Sequence, residues 1–162
     1  MKQTTVARQI VILLAAAIPL VSDSVLRAGQ QVATDRENHS FHNSLPSRPL
    51  PPTLDPVEFT QNRAAFVAYS LAARIKPTLY QVPCYCGCDR ELGHRSLLDC
   101  FTGRHGVFCH TCQKEVVFCY LQHRKGRTAA QMRTELKKGR PSTLAFNKYI
   151  EHYYRELSNS YK

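Results

Sequence analysis

Cys84-Tyr85-Cys86-Gly87-Cys88 places three thiols at alternate positions, and Cys109-His110-Thr111-Cys112 adds a Cys-x-x-Cys pair downstream. All seven cysteines (84, 86, 88, 100, 109, 112 and 119) fall within a 36-residue window of a 162-residue chain. The window therefore has to form one compact unit, and its chemistry is that of sulfur: either a metal held by thiolates or a set of disulfide staples.

A four-coordinate soft or borderline ion needs four thiolates, or three and a histidine, converging from two chain segments. Cys109 and Cys112 suit a turn entering a helix, where backbone N–H groups stabilise thiolate charge and the helix N-terminus lowers the pKa of Cys112. Cys84, Cys86 and Cys88 share one side of an extended chain, and a turn at Gly87 wraps them about an ion. Cys100 and His94, in Gly93-His94, complete the candidate ligand set. Cys119 follows Cys112 by seven positions, which along a helix is about 10 Å, so it reads as a small core residue. His110 points away from its flanking cysteines, and His105 and His152 read as surface residues. Arg90, Arg95 and Arg104 offset the negative charge of a zinc–thiolate centre.

The amino terminus follows a different logic. Lys2 and Arg8 precede an apolar run from Ile10 to Val21, the pattern of a secretory signal peptide over residues 1–24. Twelve apolar residues are too few for a spanning helix, which needs about 20. With no cysteine near the cleavage region, lipid attachment there is not expected. The expected location is periplasmic or extracellular, where disulfides persist, so the cysteines admit both the metal and the disulfide reading.

Residues 25–53 are polar and carry Pro46, Pro49, Pro51 and Pro52, which reads as a disordered Pro-rich linker with solvated His39 and His42. Asp55-Pro56 with Glu58 starts a helix that continues through Phe59, Phe66, Tyr69 and Leu71 and ends before Pro77. Ser96-Leu97-Leu98-Asp99 matches a capping box for a short helix carrying Cys100, and Arg104-His105-Gly106 turns the chain. A helix from near Thr111 to about Gly126 follows, then a second capping box at Thr128-Ala129-Ala130-Gln131 opens a helix ending at Gly139. Phe146, Ile150, Tyr153 and Leu157 form one stripe of a C-terminal amphipathic helix within residues 140–162. The whole reads as a mainly α fold: a small irregular helical domain over residues 54–139 organised around the cysteine cluster, with a C-terminal helix.

The net charge of +10 is dispersed and comes with no nucleic-acid motif, so no nucleic-acid partner is expected. Its densest part, Arg124 to Arg140, holds seven Lys/Arg against Glu135 alone and reads as a solvated face. A weak contact with anionic headgroups is the membrane role that such a face allows.

Pro83-Cys84-Tyr85-Cys86-Gly87-Cys88 resembles the signature of the bacterial PCYCGC-motif family, exported proteins without an established function, many of them lipoproteins. The resemblance continues through Gly93-His94-Arg95-Ser96-Leu97-Leu98-Asp99-Cys100-Phe101 and Cys109-His110-Thr111-Cys112, and it implies export and a family-defining cysteine cluster. The absence of a lipobox cysteine departs from many such relatives.

The leading expectation is an exported metal-binding protein, not an enzyme, holding zinc or copper for structure, buffering or transfer. Close-set thiols favour copper, and a separable set of four favours zinc. The alternatives are a disulfide-stapled interaction module, a thiol-disulfide oxidoreductase using Cys109 and Cys112, and an iron–sulfur or rubredoxin-like carrier. No Ser-His-Asp set, P-loop or paired carboxylates stand out, and the sequence names no protein partner.

Overall fold

A computed structural model describes residues 39–160, so the signal-peptide expectation for residues 1–24 lies outside the described residues. The fold is mainly α, with eight α-helices, two 3-10 turns and no strand among the described residues. The helices are α1 (Arg63–Arg74), α2 (Lys76–Tyr80), α3 (Cys88–Glu91), α4 (Asp99–Thr102), α5 (His105–Phe108), α6 (His110–Arg124), α7 (Ala129–Lys137) and α8 (Phe146–Ser160).

The expected single helix from Asp55 to Pro77 is divided. Asp55 does cap a turn, accepting from the Val57 N–H at 2.9 Å, but that turn is a 3-10 segment, Pro56–Phe59. Asn62 then takes an extended backbone and its Oδ1 accepts the Ala65 N–H at 3.1 Å, so α1 starts afresh. An asparagine that can satisfy an orphan N–H competes with helix continuation, and here it wins.

α1 is the axis of the fold. Ala65 through Ala72 are all buried, because α6, α8, α5 and the Pro56–Phe59 turn surround it. A helix enclosed on all sides has to be apolar around its circumference, and this one is, apart from Ser70 and the Tyr69 hydroxyl. Tyr69 donates that hydroxyl to the Gly103 carbonyl at 2.6 Å, tying α1 to the segment between α4 and α5.

α7 and α8 follow their sequence signals. The Thr128 hydroxyl accepts the Gln131 N–H at 3.3 Å while Gln131 Oε1 accepts the Thr128 N–H at 3.0 Å, completing the capping box. Gly139 ends the run at φ 71°, where a side chain would be strained. α8 buries Ile150, Tyr153 and Leu157, half-buries Phe146, and packs on α1 through Phe66–Tyr154 and a two-pronged Arg63–Glu151 ion pair.

The segment expected to be a solvated linker is not one from residue 39 onward. His39 Nδ1 meets Asp89 Oδ2 at 3.0 Å with both side chains nearly buried, and His42 stacks on Tyr80 at 3.9 Å. Backbone bonds from His42 N to Tyr80 O and from Leu54 N to Phe101 O extend the attachment. No helix among the described residues is long and apolar enough to cross a membrane.

Candidate metal centre

The thiols converge because three short stretches of irregular chain are fixed to α6. Leu97 N donates to Val82 O at 2.9 Å and Leu98 N to Leu79 O at 3.3 Å, pinching the intervening loop shut at its neck. Within the loop Gly87 sits at φ 89° and opens α3, so the chain reverses directly after Cys86. An added Cβ there would come no nearer than 3.6 Å to Arg90, so conformation rather than space calls for glycine. The capping box expected at Ser96 does not form: the buried Ser96 Oγ has no partner, and Asp99 accepts from Arg95 N at 2.6 Å instead. The short helix instead starts from Leu98, which has no side chain able to cap it.

Arg104-His105-Gly106, expected to be a plain turn, opens α5. Gly106 allows α5 to press onto α4, since a Cβ there would lie 2.9 Å from the Phe101 ring and 3.0 Å from the Cys100 carbonyl. Gln113, buried on α6, donates to the Gly106 and Val107 carbonyls at 2.9 and 3.0 Å and holds α5 in place. Cys109 stands at the N-cap of α6 and Cys112 in its first turn.

Six sulfurs and two imidazoles gather there. Cys86, Cys109, Cys112 and His105 form one group whose ligand atoms all lie within 4.8 Å of one another, and Cys84, Cys88 and Cys100 form a second. In the first, Cys86 Sγ is 3.6 Å from Cys112 Sγ and 3.4 Å from His105 Nε2. In the second, Cys88 Sγ is 3.5 Å from Cys100 Sγ, and His94 Nδ1 is 3.4 Å from that same sulfur. Cys84 joins the groups, 3.3 Å from Cys86 and 3.4 Å from Cys112. All seven cysteines are free thiols.

The separations suit metal ligation. Thiolates at about 2.3 Å on a tetrahedral zinc stand about 3.8 Å apart, and a thiolate and an imidazole about 3.5 Å. Cys88 thus turns to one group and Cys86 to the other, while Cys84 groups with Cys88 and Cys100 and also touches Cys86 and Cys112. His105, expected at the surface, is half-buried against Cys86. Helical spacing does not account for this, because α5 ends at Phe108 and Cys109 is extended; the break between α5 and α6 is what turns His105 toward the sulfurs. His110 is exposed, as expected, and Cys119 is fully buried among the core apolar residues, outside both groups.

Crowded thiols cannot all ionise independently. Cys86 is drawn toward thiolate by the surrounding thiols that donate to it, Cys100 and Cys109 first. Cys112 is pushed the other way by Cys100 and Cys109, which overrides the lowering expected from its helix N-terminus. Burial raises Cys119 well above an ordinary thiol. Glu115, one turn beyond Cys112, is buried; desolvation lifts its pKa to about 8, and an oxygen of its carboxyl group accepts the Tyr85 N–H at 3.0 Å. Glu115 and the His39–Asp89 pair escaped sequence reading, because nothing local marks a long-range contact. Of the flanking arginines, Arg104 pairs with Glu58 at 3.5 Å and lies over the Phe59 ring.

A family described as protein of unknown function with PCYCGC motif matches residues 11–160. The chain belongs to the PCYCGC family. The match takes in all of the 25–53 segment and the stretch after Gly139 as far as residue 160, so the family match is wider than the roughly half of the chain over which its motifs are apparent. No curated protein and no solved structure matches the chain. In this PCYCGC protein the motif's proline and three cysteines form the loop that meets α6, and its glycine makes the reversal.

Proposed function

We propose that the protein is a thiolate metal-binding protein whose ion is zinc. The observation that carries this is the group Cys86, His105, Cys109 and Cys112, whose four ligand atoms lie within 4.8 Å of one another. Three thiolates and one imidazole are a closed donor set for tetrahedral zinc, whereas copper(I) would favour fewer, sulfur-only ligands. A closed set leaves no position for substrate or water, which favours holding or handing over an ion above catalysing a reaction.

The amino-terminal pattern of Lys2, Arg8 and the apolar run supports an exported protein. In an oxidising compartment adjacent free thiols pair unless something protects them, and a bound ion does so by occupying the thiolates that would attack a disulfide. Metal content and free-thiol count test the reading on full-length protein isolated without reductant or added metal. Bound zinc, with cluster thiols that react only after chelation, is the expected result. Metal-free protein carrying three disulfides would replace it with the disulfide-stapled module.

A further inference from the structure

We infer that the centre is dinuclear, with an inner ion held by Cys84, Cys88, Cys100 and His94 beside the outer ion of Cys86, Cys109, Cys112 and His105, and that only the outer ion exchanges readily. This rests on the metal-binding reading above and adds a second site, its fourth ligand and a division of labour.

The three inner cysteines lie within 4.8 Å of one another. Three thiolates need one further donor to close a tetrahedron, and His94, which touches Cys100 but stands more than 4.8 Å from at least one of the other two sulfurs, is the imidazole that closes the set by turning inward. Its backbone N–H donates to the Cys88 carbonyl at 3.2 Å, fixing the residue over the end of α3. From there its Nδ1 reaches to 3.4 Å from Cys100 Sγ, the separation of imidazole and thiolate on one zinc. With His94 turned in, the eight donors divide into two sets, each of three thiolates and an imidazole, and Cys84, 3.3 Å from Cys86 and 3.4 Å from Cys112, stands where the two sets meet.

The two sets are not equally accessible. Cys84, Cys88 and Cys100 are 3, 1 and 0 % exposed, whereas Cys86, His105 and Cys109 are each half-buried. Metal leaves a closed site when a competing ligand or a proton reaches a donor, and three of the outer donors are within reach of solvent. The inner set offers only His94. The His94 and His105 rings meet edge to face with centroids 5.2 Å apart, so both imidazoles lie on the same side of the sulfurs. Incoming chelators and acceptor thiols meet that side first. The inner ion accordingly keeps the loop closed while the outer one is taken up and given away.

Zinc-loaded full-length protein, followed by native mass spectrometry during incubation with EDTA, tests this. Two zinc equivalents at saturation are expected, one lost early and one retained. His105→Ala and Cys109→Ser should each abolish the early-leaving equivalent and keep the retained one, while His94→Ala should make the retained ion leave early. A single equivalent at saturation, release of both ions at one rate, or loss of the retained ion in both His105→Ala and Cys109→Ser would overturn the dinuclear assignment. A single equivalent would leave the metal-binding function standing, whereas no zinc at all with freely reactive thiols would remove that function as well.

Discussion

Cys84 Sγ lies 3.4 Å from Cys112 Sγ although the two residues are 28 positions apart. That contact is where the PCYCGC loop meets the first turn of α6, and it is made by buried sulfur on both sides. Thiolates so close would repel one another, and cations bound on either side of the contact would offset that repulsion. On the proposed zinc reading, the packing of this loop therefore depends on the bound ions.

Cys119 and Cys112 share α6 but have different roles. Cys119→Ala should leave zinc stoichiometry unchanged and cost about 1 kcal/mol of stability, as a small core deletion does. Cys112→Ser should lower bound zinc. Elemental analysis with a denaturant midpoint for each variant separates these outcomes, and zinc loss in Cys119→Ala would place Cys119 in the centre.

Glu115 holds the Tyr85 N–H from below the cluster. Glu115→Ala leaves that part-buried donor without its acceptor, for a cost of about 1 kcal/mol, and should weaken zinc retention because the loop loosens. Glu115→Gln keeps a carbonyl oxygen there and should recover most of both losses. Equal behaviour of the two variants in chemical denaturation and in zinc competition would show that the bond does not position the loop.

Two nearby glycines should respond differently to alanine. Gly106→Ala forces a Cβ against the Phe101 ring and the Cys100 carbonyl, an overpacking that costs about 1–3 kcal/mol. Gly103→Ala meets nothing within 4 Å and has extended backbone, so its melting temperature should match that of the parent. Equal melting of both variants would mean that α5 is free to shift away from α4.

Local chemistry was readable in the sequence, and contacts over long separations were not. The Thr128 box, the Gly139 stop and the Ile150–Leu157 stripe each need only neighbouring residues, and each appears as expected. The cysteines gather as their confinement to one window implied. Asn62 was passed over because the apolar periodicity of its surroundings suggested an unbroken helix. His105 was misplaced because Gly106 beside it signals a turn as strongly as α5 needs a glycine for close packing.

His39 and Asp89 show the same limit, since a polar, proline-rich stretch gives no hint of a partner 50 residues away. His39→Ala should cost about 1–3 kcal/mol, because Asp89 Oδ2 loses its partner while Oδ1 already has none. The readout is the denaturant midpoint of the full-length protein. No change would show that residues 39–53 behave in solution as the unattached spacer their composition suggests.

The central claim is that sulfur holds the metal in this protein, and zinc K-edge absorption on the native, unreconstituted protein tests it most directly. A shell of three sulfurs at about 2.3 Å and one nitrogen at about 2.0 Å is the predicted result. A shell of oxygen and nitrogen alone, or the absence of zinc with the thiols oxidised, would contradict it.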